Sequence, residues 1–124
     1  DRDAPVLVTA GGLLHYFEEN KVISLLRMIG QSGNMEVVFD TVNKKGMAMM
    51  QKKYMKQVGH ADAQMFFYVD AAKELAAKIR GNVKVIAEEP YYRYIPKNGL
   101  KLSTKVSMAV SDQFKMVKMI HLKL

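Results

Sequence analysis

The chain has no cysteine. That excludes disulfides, thiolate nucleophiles and thiolate metal sites together, so covalent chemistry would fall to other groups. Histidine is nearly as scarce, with three residues and no H-E-x-x-H spacing. No metal site is expected. Apolar runs are short, and none approaches the ~18 residues of a membrane span. Asp1-Arg2-Asp3 does not open a secretory signal peptide. These absences imply a cytoplasmic protein with no membrane partner. Acid is also in short supply, with 12 Asp and Glu against 19 Lys and Arg, a net charge of +7. Such a charge favours association with anions without selecting among them. The lysines, however, are scattered among apolar positions. They read as solvated faces rather than as a nucleic-acid site.

What is present is the balance of a globular domain: 49% hydrophobic residues and 25% charged, in 124 residues that suffice for one core. The chain opens at Asp1 without methionine and runs quickly into Pro5-Val6-Leu7-Val8. It reads as a truncated piece of a longer protein, a single fragment over residues 1–124.

The patterning predicts alternating strands and helices. Residues 5–10 form a continuous apolar run ending in Gly11-Gly12, as a buried parallel strand ends in a tight turn. Glu18 and Glu19 suit a helix N-terminus, Val22, Leu25, Leu26 and Ile29 follow at helical spacing, and Gly30 and Gly33 close that helix. Residues 35–40 are the next strand. A methionine- and lysine-rich helix covers 44–57, weakened at its start by Gly46. Asp70 caps a third helix with Ala72, Leu75, Ala76 and Ile79 on its apolar face, stopped by Gly81. Residues 83–88 resume strand character and lead into the aromatic loop Pro90 to Pro96. The spacing of Leu102, Val106 and Val110 favours a helix over 100–110, against its β-branched and serine content. From Phe114 to Leu124 apolar residues alternate with others, and Lys118 falls on the apolar side. This order predicts an α/β fold with a largely parallel sheet of about four strands.

Residues Val6-Leu7-Val8-Thr9-Ala10-Gly11-Gly12-Leu13-Leu14-His15-Tyr16-Phe17-Glu18-Glu19, then Glu36-Val37-Val38-Phe39-Asp40, carry a family resemblance. They resemble the second half of the class I S-adenosylmethionine-dependent methyltransferases that include leucine carboxyl methyltransferases and tetracenomycin-type polyketide O-methyltransferases. Lys118-Met119-Ile120-His121-Leu122 resembles the last strand of that family. The resemblance implies the C-terminal half of a Rossmann-like sheet, mostly parallel with the last strand antiparallel. It also implies S-adenosylmethionine as cofactor of the full-length protein and a small molecule or carboxylate as methyl acceptor. The family's glycine-rich cofactor motif and ribose-binding acid have no counterpart in these 124 residues, and Gly11 stands where many relatives carry an acid. Binding in such folds occurs at the carboxyl ends of parallel strands. Thr9, Ala10, Gly11 and Gly12 are therefore the candidate cofactor-facing residues, and Tyr16, Asp40, Thr41 and Asn43 the candidate acceptor-facing ones. His15 is the candidate general base. The fragment alone is expected to be inactive and to self-associate through its first strand. The alternative is a non-catalytic basic α/β module binding nucleic acid or a protein partner, which the net charge and the tyrosine loop favour.

Overall fold

The computed structural model describes residues 4–58, 65–92, 98–113 and 116–124, with side chains omitted for 53–58 and 110–113. Among the described residues, four strands and four helices follow one another: β1 (Val6–Ala10), a 3-10 turn (Leu14–Tyr16), α1 (Glu19–Gln31), β2 (Met35–Val42), α2 (Lys44–Val58), α3 (Ala72–Ile79), β3 (Lys84–Pro90), α4 (Leu102–Gln113) and β4 (Val117–Lys123). The spatial order is β1-β2-β4-β3. β1 and β2 pair in parallel, whereas β4 is antiparallel to both of its neighbours. β1, β2 and β3 therefore run one way, and the last strand is reversed and inserted between β2 and β3. This is the α/β sheet with a reversed last strand that the resemblance implies. The element order predicted a largely parallel sheet, and the insertion of β4 leaves β1 and β2 as the parallel pair among the described strands.

Alternation along the strands sorts the two faces. Val37 and Phe39 of β2 and Ile120 and Leu122 of β4 are fully buried, with Val8 and Ala10 of β1 packed against them. Val22 and Leu26 of α1 and Ala72, Leu75 and Ile79 of α3 cover this face at helical spacing. The two helices are also tied directly. Arg27 of α1 donates from Nε to the Ile79 carbonyl at 2.9 Å and from a terminal nitrogen to that of Lys78 at 2.7 Å. Those bonds satisfy carbonyls that the end of α3 leaves open. Between α2 and α3 an extended segment buries Met65, Phe67 and Val69 in alternation, and Val69 N–H donates to the Val42 carbonyl at 2.9 Å. Phe67 seats against Phe39, ring centroids 6.5 Å apart.

Four local readings change in the structure. β1, read as a buried strand, is an edge strand with Val6 and Leu7 exposed and only Val8 and Ala10 half-buried, because β2 covers it on one side alone. Gly30 does not end α1 but lies inside it, where an added Cβ would meet Leu124 Cβ at 3.2 Å. The sequence there answers the close approach of the C-terminus; the turn follows at Gly33, with φ +137°. Gly46 is likewise a packing residue: a Cβ there would stand 2.5 Å from the Met116 carbonyl oxygen. Asp70 does not cap α3. Its carboxylate accepts from Lys44 N–H at 3.0 Å, at the start of α2, while Ala72 N–H at the start of α3 donates to Glu88 of β3 at 2.9 Å. The 100–110 segment is helical from Leu102 on, as its spacing favours, and the helix continues to Gln113. His60, Arg93, Tyr94 and Phe114 fall outside the described residues.

Candidate active site

β1 stops at Ala10, opposite Phe39, while β2 continues through Asp40, Thr41 and Val42. The carboxyl end of the parallel pair is thus a step, with β2 forming the higher wall. Gly11-Gly12 turns the chain away from β1, and Gly12 has φ +62°, a conformation that non-glycine residues adopt at a cost. That geometry aims Gly12 N–H at Asp40, whose Oδ1 accepts it at 2.7 Å. A charge-assisted bond of this length ties the turn to the second strand. No atom beyond the adjacent residues lies within 4 Å of a Cβ added at Gly11 or Gly12. The space beside both glycines is open.

The chain then enters the 3-10 turn that carries His15 and Tyr16. The His15 carbonyl accepts from Phe66 N–H at 2.8 Å and from Phe67 N–H at 3.3 Å, which pins the turn to the extended segment behind it. Only 8% of His15 is exposed, and its ring lies 4.3 Å from the Tyr16 ring at 52°. Burial pushes the His15 pKa below its ordinary value, and the Asp40 carboxylate opposes this in part. The imidazole is held neutral near pH 7. A neutral imidazole accepts a proton, so the group has the charge state of a general base.

Register separates the remaining candidates. Thr9 and Asp40 share the sheet face opposite the core, Thr9 pairing with Val38 and Asp40 lying two residues on. Thr9, Gly11, Gly12 and Tyr16 are exposed, and Asp40 is half-buried. Ala10 packs against the core, and Thr41 is buried on the core side beside Phe39 and Lys118. Asn43 accepts Gly46 N–H at 2.7 Å through its side chain and so caps α2. The structure therefore brings together Gly12, His15, Tyr16 and Asp40. It assigns Ala10, Thr41 and Asn43 structural contacts.

A second polar cluster lies behind this step. Lys118 is 1% exposed, yet its Nζ donates to Glu88 Oε2 at 2.8 Å and to the Asp70 carbonyl at 2.8 Å. With the Glu88 bond to Ala72 N–H and the Asp70 bond to Lys44 N–H, one buried ammonium links β4, β3 and the starts of α2 and α3. The sequence carried a signal for it, a lysine within the apolar register of the last strand. His121 faces the other side of β4 and meets Glu36 Oε1 at 2.8 Å. A cavity of about 170 Å³ lies between the segment 66–71 and α3, closed on one side by Glu19 of α1, which accepts from Lys78 at 2.8 Å. None of the residues at the β1 and β2 ends lines it.

No protein-family model and no curated protein matches this sequence. Among solved structures, the chain resembles a DUF574 family protein from Streptomyces avermitilis, with a TM-score of 0.63 and 10% identity. The match covers 99% of this chain and 45% of that protein, so the chain spans less than half its length. At that identity the likeness establishes the fold.

Proposed function

We propose that the chain is the C-terminal portion of an S-adenosylmethionine-dependent O-methyltransferase acting on a small molecule or a carboxylate. The observation that carries this reading is the sheet with its last strand reversed, combined with a buried histidine, His15, beside the carboxyl ends of its two parallel strands. The crevice residues do not by themselves make a cofactor cradle. Gly12 N–H is engaged by Asp40, and the space beside Gly11 and Gly12 is open rather than closed around a ligand. The remainder of the protein would hold S-adenosylmethionine, which supplies the methyl group.

The chain's own contribution is positional. Gly12 and Asp40 fix the turn, Tyr16 offers an exposed ring and hydroxyl to an acceptor, and His15 takes the proton of an acceptor hydroxyl. Transfer to a carboxylate requires no base, and there His15 would only orient the acceptor. Isothermal titration of the 124-residue chain with S-adenosylmethionine tests the division of labour. Binding is expected to be absent or weaker than about 1 mM, the upper end of ordinary substrate affinities. Micromolar binding would refute it. The coding sequence upstream of Asp1 supplies an independent check, because this reading requires a glycine-rich strand-turn-helix unit there. The lack of one would favour the alternative, a basic binding module.

A further inference from the structure

Among the described side chains of α4, two large apolar ones face solvent. Leu102 is 77% exposed and Val106 53%, four residues apart and therefore on one face, and the exposed Ala109 continues the ridge. Met108, 6% exposed, lies on the far side of a helix with about 3.6 residues per turn and turns toward the body of the protein. Among its described side chains, α4 thus turns Met108 inward and a separate apolar ridge outward. Lys101 and Lys105, both exposed, flank that ridge with the same four-residue spacing. In the sequence from Tyr91 to Gln113, the end of α4, there are four cations, Arg93, Lys97, Lys101 and Lys105, and one acid, Asp112. An apolar ridge edged by lysines matches the boundary between acyl chains and anionic headgroups. A nucleic-acid backbone would leave Leu102 and Val106 without a contact that repays their exposure.

We propose that α4 docks the protein on an anionic lipid surface, Leu102 and Val106 entering the headgroup boundary and Lys101 and Lys105 meeting lipid charge. The absence of a spanning segment does not oppose this, because surface docking needs none. The placement matters for the step between β1 and β2. β3 ends at Pro90 and β4 begins at Val117, and Val117 pairs with Val42. α4 therefore sits in the connection that leaves and re-enters the sheet at the same rim. Docking would bring that rim to the membrane. The inference stands on α4 alone and does not depend on the methyltransferase reading.

Co-sedimentation tests it with phosphatidylcholine vesicles, with and without about one third phosphatidylserine, at physiological salt. The chain is expected to sediment with the anionic vesicles only. Leu102→Ser/Val106→Ser should reduce binding at least ~10-fold, and Lys101→Glu/Lys105→Glu should do the same, since each surface lysine is worth roughly fivefold. All four positions are exposed, so circular dichroism should show the wild-type fold in both variants. Binding that survives loss of Leu102 and Val106 would overturn the proposal in favour of generic charge attraction. Oligonucleotide binding lost only in the lysine variant, with no vesicle binding, would overturn it in favour of nucleic acid. A dimer in light scattering that Leu102→Ser/Val106→Ser dissolves, with no vesicle binding, would make a second copy the occupant.

Discussion

Glu88→Gln should destabilise the chain more than Lys118→Met, although the lysine is the more deeply buried partner. The reason is where each change leaves an unpaired charge. Lys118 is 1% exposed, whereas the Glu88 side chain is 26% exposed. Removing the ammonium leaves a carboxylate that reaches water and still accepts from Ala72 N–H. The principal loss is then the donor to the Asp70 carbonyl, about 1–3 kcal/mol, partly offset because methionine fills the space of the lysine stem without a charge to desolvate. Removing the carboxylate charge instead leaves an ammonium that water cannot reach with neutral acceptors only, the Asp70 carbonyl and the new amide oxygen. Breaking a buried pair in that way costs about 3–5 kcal/mol. The double variant should recover much of the Glu88→Gln loss, giving a coupling of roughly 1–3 kcal/mol. Urea unfolding of the four proteins, read as midpoint and slope, measures all of these quantities. A larger loss for Lys118→Met, or strictly additive losses, would refute the argument.

Gly46→Ala should destabilise by about 1–3 kcal/mol, because crowding against the Met116 carbonyl outweighs the gain of about 1 kcal/mol in helix propensity. Gly81→Ala, where nothing lies within 4 Å of the new methyl and φ is not positive, should be neutral or stabilising by thermal melts. The His15 pKa is lower folded than unfolded, so its contribution is complete above about 6.5 and is lost as pH falls through the folded value. Wild type should therefore lose more stability on acidification than His15→Gln, and a constant difference in unfolding free energy between pH 7 and 5 would show that His15 is not desolvated. β1 lies at one edge of the sheet with Val6 and Leu7 exposed, and light scattering at moderate salt should report self-association that Leu7→Lys reverses. A wild-type chain that stays monomeric would show that the edge does not pair.

The sequence by itself determined the element types and their order, because local periodicity encodes them. The helical spacing of Val22, Leu25, Leu26 and Ile29 and the alternation from Met116 to Leu124 match one face of the observed helix and sheet, except that Leu25 is exposed. The apolar run at 6–10 is a strand as read but lies at the sheet edge rather than buried. The sequence also placed His15, Tyr16 and Asp40 near strand ends, since those ends are legible wherever an apolar run meets a glycine turn or an acid. Tertiary structure decided which partners these residues have. Gly30 and Gly46 look like helix breakers in the sequence and are contact points in the fold, because the atoms they admit come from Leu124 and Met116, far along the chain. Asp70 looks like the cap of the helix that follows it. It serves α2 instead, and Glu88, sixteen residues beyond Ala72, takes its place on α3. Lys118 stood visibly in an apolar register, but that its charge is met by Glu88 and Asp70 depends on β4 entering the sheet between β2 and β3. Strand order is a long-range choice made by side-chain packing across the whole sheet, and no local pattern records it.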